Sequence, residues 1–575
     1  MVEKFRVEPE VDGFDKSMRG IRRWFAGGGI ITCVRLATWC LIAGLGVTIA
    51  SDLHHVRRKF EKDKEDDTGD VTDGLRSSSD DERGPSSPKT ECWSRKRSSF
   101  QNMDQRMNVG SNEYFDHAIS DCQQLIAKFQ TEYGIPGLSV AVSVDGNKVW
   151  AEGIGFADVE NRVPCTADTV MRIASISKPI TMSILAKLME AGKIDIDKPV
   201  QQYVTSWPQK TFQGKNVDIT IRQLVSHRSG VRHYEKDPEK VKDEFEKIDR
   251  QIRPKKQREN PTIDALQKQK DEFAQSEMKN QRYFDSLEKS VDLFRNDPLI
   301  FEPGTRFLYS TPAWTLVSAA IEETSGIKIT KLFELLFKQL GMNETYLDEN
   351  SPIINNRSRY YDRAKNGVLK NSAYVDNSYK WAAGGLLSTA GDLVQFGNVM
   401  MYSYQNRHDS KTSSESRDEK SKIKFPSKDS GYNEQSHDLS FLYAQSSDRA
   451  GFLHASTMDQ LWAPVDGTAS YWDKDTYFGL GWVIVPYIRK FGNGKFHRFC
   501  TFHTGAAMGA SSLLLCLPEA DLDNPAVGST SGTATYPKGV VVAILANMSH
   551  IGMSKIAHEI AKNFDEAKSI RNQSI

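Results

Sequence analysis

The apolar residues of this chain recur with two periods, and the switches between them mark out its elements. Ile119, Cys122, Leu125, Ile126 and Phe129 share one stripe at helical spacing, which predicts a helix over Ala118–Tyr133. After Pro136-Gly137 the period falls to two. Leu138–Val144 and Lys148–Ile154 alternate on either side of Asp145-Gly146, a strong hairpin signal. Ile180, Ile184, Leu185 and Leu188 return to helical spacing and predict an amphipathic helix that stops at Gly192. Pro179 lacks an amide proton and keeps the start of that helix within about a turn upstream. Val217–Gly230 reads as a short helix running into a loop, where His227 is read as holding backbone carbonyls rather than as the alternative, a catalytic base. Helices follow at Trp314–Thr324 and Lys328–Leu340, stopped by Gly326 and Gly341. Trp381–Asp392 reads as a glycine-rich loop that leads into a helix from Ala390 to about Met401. Strands are expected at Tyr477–Val485, His497–His503, Ser511–Leu517 and Gly539–Asn547, before a closing helix over Ser554–Ala567. The distribution implies an α+β fold. An antiparallel sheet, flanked by helices, combines the hairpin with the late strands; the helical middle forms a separate lobe, and the active site lies between them.

Four stretches break this pattern. Residues 1–55 carry a basic patch from Lys16 to Arg23, then two apolar runs, Trp24–Val34 and Leu36–Ser51, split by Arg35. The second run falls short of the roughly 20 residues of a spanning helix, so residues 24–51 cross a membrane only if Arg35 snorkels. A targeting segment or membrane anchor is expected there, with a cleaved signal peptide as the alternative. Residues 56–110 are charged and serine-rich, as in a disordered linker, which leaves 111–567 as the folded domain. Within it, 235–296 is rich in charge and predicts an inserted, solvated helical segment, or else a contact between protomers. Residues 404–436 form a second, low-complexity insertion. Lysine plus arginine equals aspartate plus glutamate at 75 each, so charge gives no reason to expect nucleic acid. Seven scattered cysteines without a Cys-x-x-Cys pair suggest neither a disulfide framework nor a zinc site, and no metal or cofactor is expected.

The candidate chemistry gathers at the start of the helix after the hairpin. Ser175 stands at or beside its N-terminus, and Lys178 lies three residues on, on the same face. A serine hydroxyl needs a neighbouring base, and a lysine serves if burial and cationic neighbours lower its pKa. Ser-x-x-Lys alone is weak, since it also begins at Ser86, Ser276, Ser286, Ser325 and Ser421. Tyr309, in the turn after Pro303-Gly304, is a second candidate: a phenol between cations is lowered toward neutrality and can exchange protons. His503-Thr504-Gly505, at a strand end, is the third, with Gly505 allowing close backbone approach of a substrate.

Taken in order, Ser175-Ile-Ser-Lys178, Tyr309-Ser-Thr311 and His503-Thr-Gly505 resemble the motifs of the serine β-lactamase and penicillin-binding-protein family, in its class C-like branch. Leu224-Val-Ser-His-Arg-Ser-Gly230, Phe301-Glu-Pro-Gly304 and Gly384–Asp392 match as well, and the likeness covers roughly 112–565 outside the insertions. The resemblance implies a β-lactamase/transpeptidase-like fold and a hydrolase that works through an acyl-enzyme. Ser175 would be the nucleophile; Lys178 would share its proton and keep the site positive; Tyr309 would relay the proton. The amides of Ser175 and Ala506 would form the oxyanion hole. His503 and Thr311 depart from the family's usual lysine and asparagine, and His503 carries a pH-dependent charge. The charged insertion and the anchor-like N-terminus resemble the animal mitochondrial branch of the family. That likeness implies a serine peptidase of the intermembrane space that forms homopolymeric filaments and influences lipid metabolism. An esterase, a filament-forming scaffold with a vestigial site, and a membrane-associated binding module are the alternatives.

Overall fold

The computed structural model describes residues 113–234, 277, 279–406, 439–443, 451–469, 476–486, 498–519 and 537–574. The expected anchor and linker, and most of both insertions, lie outside these residues. Helix α1 (Glu113–Tyr133) leads into strands β1 (Gly137–Val144), β2 (Asn147–Asp158) and β3 (Val163–Pro164). Helix α2 (Ser177–Glu190) follows, then α3 (Thr311–Ser325) and α4 (Ala390–Gln405). Strands β4 (Tyr477–Phe478), β5 (Val483–Val485), β6 (Cys500–Ala507), β7 (Ala510–Pro518) and β8 (Gly539–Ala546) come late, and α5 (Ser554–Ser574) closes the chain.

The strands form one antiparallel sheet in the order β4-β5-β6-β7-β8-β1-β2-β3, so the last strand sits beside the first. Asp145 and Gly146 take φ of 50° and 80°, the left-handed pair that a tight turn between β1 and β2 requires. Both faces of the sheet are covered. On β8, Val540, Val542 and Ile544 pack toward α1 and α5, whereas Val541, Ala543 and Leu545 face the cluster that contains α2, α3 and α4. The alternation is the period-two rule applied to a strand buried on both sides.

Three expectations change. The helix after Ser175 is not amphipathic: Ser177 through Leu188 are all buried, because α2 runs through the middle of the molecule. Trp381–Ser388 is a short helix, Trp381–Gly384, and a strand, Leu386–Ser388, which joins Met171–Arg172 and Tyr346–Leu347 in a three-stranded sheet. The end of the first insertion is not solvated. Phe284, Leu287, Val291 and Phe294 are buried, and Leu287–Asp292 is a helix capped by Ser286. Among the described residues no helix is long and apolar enough to cross a membrane.

Candidate active site

Ser175 occupies a single 3-10 turn, Ala174–Ile176, at the head of α2. Ala174 holds a positive φ of 47°, a conformation costly for a side-chain-bearing residue. The neighbours fix it: Ser512 Oγ donates to the Ile173 carbonyl at 2.7 Å, Ser177 Oγ donates to the Ala174 carbonyl at 2.7 Å, and the Ile173 amide donates to Leu386 at 3.1 Å. The result presents the Ser175 hydroxyl to a cavity of about 210 Å³.

Two side chains meet that hydroxyl. Lys178 Nζ lies 3.0 Å from Ser175 Oγ and donates to the Ala383 carbonyl at 2.6 Å. Tyr309 Oη, the residue before the α3 cap Ser310, donates to Ser175 Oγ at 2.8 Å. Lys178 is fully buried, and its pKa is held well below the usual lysine value by desolvation first and by the Lys380 ammonium second. That shift favours the neutral amine and weakens the positive centre expected at Lys178. The expectation for Tyr309 is also reversed. Burial pushes its phenol up, and the bond to Ser175 only partly offsets this, so the group is a protonated donor rather than a phenolate.

The loop after Ile221–Val225 pins the start of α3 and builds one cavity wall. His227 does not hold carbonyls. Its Nδ1 accepts from the Ser310 amide at 3.1 Å, its ring lies 4.2 Å from that of Tyr309, and burial keeps it neutral. His233 Nδ1 accepts from the Thr311 amide at 3.2 Å. Buried Arg232 between them pairs with Glu277 at 3.0 Å and with Asp297.

The third wall is β6. The short strand β5 pairs only with Cys500 to Phe502, so His503 to Ala507 have β7 alone as a ladder partner. His503, Thr504 and Ala506 line the cavity. His503 is buried and held to a pKa of about 3 by desolvation and by Lys178, so its charge does not vary in the physiological range. Gly505 serves a different close approach from the one expected. A Cβ there would sit 2.1 Å from Ser512 Oγ and 2.3 Å from the Ile173 carbonyl, so the glycine seats the protein's own Ser175 turn against β6.

The cavity also holds residues that periodicity did not single out: His233, Tyr234, Lys380 and Phe478. None of the lining residues is acidic. Lys380 is 8% exposed, lies over the rings of Tyr234 and Tyr379 at 5.9 and 5.2 Å, and has no carboxylate partner among the described residues. A lysine between aromatics just before a glycine pair, in Tyr379-Lys380-Trp381, is the one signal that marks it in the sequence. Among the described residues no group of three His, Cys, Asp or Glu side chains is placed to hold a metal.

Comparison with known proteins gives three findings. The family model described as Beta-lactamase matches residues 122–562. The chain is 40% identical over 486 residues to the mitochondrial serine beta-lactamase-like protein LACTB of Mus musculus, covering 79% of this chain and 82% of that protein. It is 39% identical to the Homo sapiens protein of the same name, over 79% and 81% of the two chains. Among solved structures, the octameric penicillin-binding protein homologue from Pyrococcus abyssi superimposes with a TM-score of 0.50 at 20% identity. The match covers 76% of this chain and 75% of that one, a likeness of fold.

Proposed function

The chain belongs to the beta-lactamase family, and on that premise we propose that it is a serine hydrolase that cleaves peptide or similar amide bonds through an acyl-enzyme. One observation carries the mechanism: Ser175 Oγ is met from two sides, by Lys178 Nζ at 3.0 Å and Tyr309 Oη at 2.8 Å. Tyr309 donates to Oγ, which leaves the Ser175 proton to point at the lone pair of neutral Lys178. Lys178 takes that proton as Oγ bonds to the substrate carbonyl carbon. The amides of Ser175 and Ala506 hold the developing oxyanion. The proton then passes through Tyr309 to the departing nitrogen, and the C–N bond breaks to leave the acyl-enzyme and a free amine. Water, deprotonated along the same route, attacks the ester, and Ser175 recovers its proton as the acid leaves. Amide and water give acid and amine, with no other reactant.

The mammalian relatives are named mitochondrial, and we place this chain in the mitochondrion on that ground. The peptidase specificity, the intermembrane-space address, the homopolymeric assembly and the influence on lipid metabolism belong to the same proposal. They rest on family resemblance alone. The test of the chemistry is a fluorophosphonate probe read by intact mass. We expect one adduct on the unsubstituted chain and none on Ser175→Ala, with amide turnover lost in parallel. A chain that takes no label would instead favour a scaffold with a vestigial site. Full turnover by Ser175→Ala would refute the mechanism.

A further inference from the structure

Outside the cavity, one buried carboxylate gathers the segments that build it. Asp348 follows the edge strand Tyr346–Leu347 of the three-stranded sheet and is 1% exposed. Its Oδ2 accepts from Arg172 Nε at 2.7 Å and from the side-chain amide of Asn377. Its Oδ1 accepts from Arg357 Nη2 at 2.7 Å, and its own amide donates to the Gly385 carbonyl at 2.7 Å. Arg172, also buried, reaches beyond Asp348: its Nη1 donates at 2.9 Å to the carbonyl of Met508, in the turn between β6 and β7. The guanidinium lies over the Tyr360 ring at 4.2 Å, and Tyr360 Oη accepts from the Arg172 amide at 3.1 Å. Neither Arg172 nor Asp348 lines the cavity.

Every anchored point lies close in the chain to a group of the site. Arg172 comes three residues before Ser175, Met508 two residues after Ala506, and Gly385 two residues after Ala383, whose carbonyl holds Lys178. The stretch of β6 that carries Ala506 has β7 alone as a ladder partner among the described residues. Two side chains tie that edge to the Ser175 segment. Ser512 Oγ, opposite Gly505, holds the Ile173 carbonyl, and Arg172 holds the turn at Met508. Ala506 sits between the two ties. An ion pair alone does not explain Arg172, because desolvation offsets the attraction of buried charges and apolar side chains of similar volume often serve as well. What a guanidinium adds is a rigid fork that bonds two different segments at a fixed angle.

We propose that Arg172, held by Asp348, is a positioning residue: it clamps the β6–β7 turn to the Ser175 segment and so fixes the Ala506 amide relative to the Ser175 amide. The clamp deepens the hydrolase reading and rests on it. It touches no substrate and acts only through the backbone. An oxyanion hole works because its donors are set before charge develops, so a loosened amide costs the transition state more than the bound substrate. Loss of the clamp therefore lowers kcat and spares KM.

The test uses the full chain and two substrates, p-nitrophenyl acetate and its thionoester, in which sulfur replaces the carbonyl oxygen. Sulfur is larger and a weaker acceptor, so a well-set hole prefers oxygen. Each kcat/KM is divided by the rate at which hydroxide cleaves the same ester, and the resulting oxygen-to-sulfur ratio does not depend on how much of the protein is folded. The unsubstituted chain should prefer oxygen by roughly a hundredfold. Arg172→Met leaves Asp348 paired with Arg357 and Asn377, and it should cut the ratio roughly tenfold, with kcat lowered and KM within a few-fold. Arg172→Lys is the milder change and carries the test if Arg172→Met does not fold. It returns a charge to Asp348 without the fork, so the ratio should fall by a similar factor. Arg357→Met is the control: it takes an ion pair from the same carboxylate but leaves the Arg172 bridge to Met508 in place, so it should lower stability and keep the parental ratio. A parental ratio in either Arg172 variant would overturn the clamp, and so would an equal fall in Arg357→Met. If the unsubstituted chain takes a fluorophosphonate but shows no preference for oxygen, the clamp alone fails. If it takes no label and splits neither ester, the hydrolase reading fails and the clamp falls with it.

Discussion

The cavity has two faces in opposite hydrogen-bonding states. On one, Ser175, Lys178 and Tyr309 are already joined to one another, and Lys178 is anchored to the Ala383 carbonyl. On the other, His233, His503 and Lys380 line the cavity without any bond joining them to one another among the described residues. The first face is set before anything binds, which is what a proton-transfer chain needs, because the groups must not reorganise during the reaction. Two lysines show the contrast best. Burial pulls the Lys178 pKa down, toward the neutral form a base needs, and the ammonium of Lys380 adds to that pull.

Substitutions can break or sharpen this division. The largest effect is expected from Lys178→Met, which should cost about 10³-fold in kcat or more. It should also raise stability near neutral pH, by about 1 kcal/mol, since it removes a fully buried amine. The sign follows from the depressed pKa. Between the folded value and the ordinary 10.5 the unfolded chain binds a proton that the folded chain does not, so stability rises with pH across that window. The stability gap between variant and parent, read in urea titrations, should close as pH approaches 10.5. A variant less stable than the parent at pH 7 would place Lys178 among the structural groups. Tyr309→Phe should lower kcat about 10²-fold and leave KM within a few-fold, because it removes a donor and not a wall. A KM effect larger than the kcat effect would move Tyr309 to the recognition face.

Gly505→Ala strikes the seam between the faces. Its Cβ would meet Ser512 Oγ and the Ile173 carbonyl, and a loss of about 2 kcal/mol is expected in chemical denaturation. Lys380→Gln should have the smallest effect. With the ammonium gone, the Lys178 pKa rises, so the acidic limb of the kcat/KM profile moves to higher pH. At pH well above that limb, activity toward neutral esters should match the parent within a few-fold. An unmoved limb would mean that Lys380 does not act on Lys178.

Much of the frame was legible because its signals are local. Asp145-Gly146 forces a hairpin whatever surrounds it, and Gly326 and Gly341 take the left-handed conformation at helix ends by themselves. Ser175 and Lys178 were legible as a pair since one turn of chain brings them together. What escaped depends on distant neighbours. That α2 is buried all round follows from helices and strands packed on every side of it. Tyr309 looks like a phenol near cations, but burial by distant segments dominates its surroundings and raises its pKa. His233 shows nothing in its own surroundings; its tautomer is set by the Thr311 amide 78 residues later.

The seam between β1 and β8 has a consequence for how this molecule is made. Gly137 and Asn547, bonded at 2.7 Å, are 410 residues apart. At the roughly 5–20 residues per second of a ribosome, the leading hairpin is complete some 20–80 s before its neighbouring strand exists. Throughout that interval β1, buried along its whole length in the finished fold, has a bare edge. The sheet therefore closes only once β8 is made, and truncation short of β8 removes the strand that bridges β1 and β7.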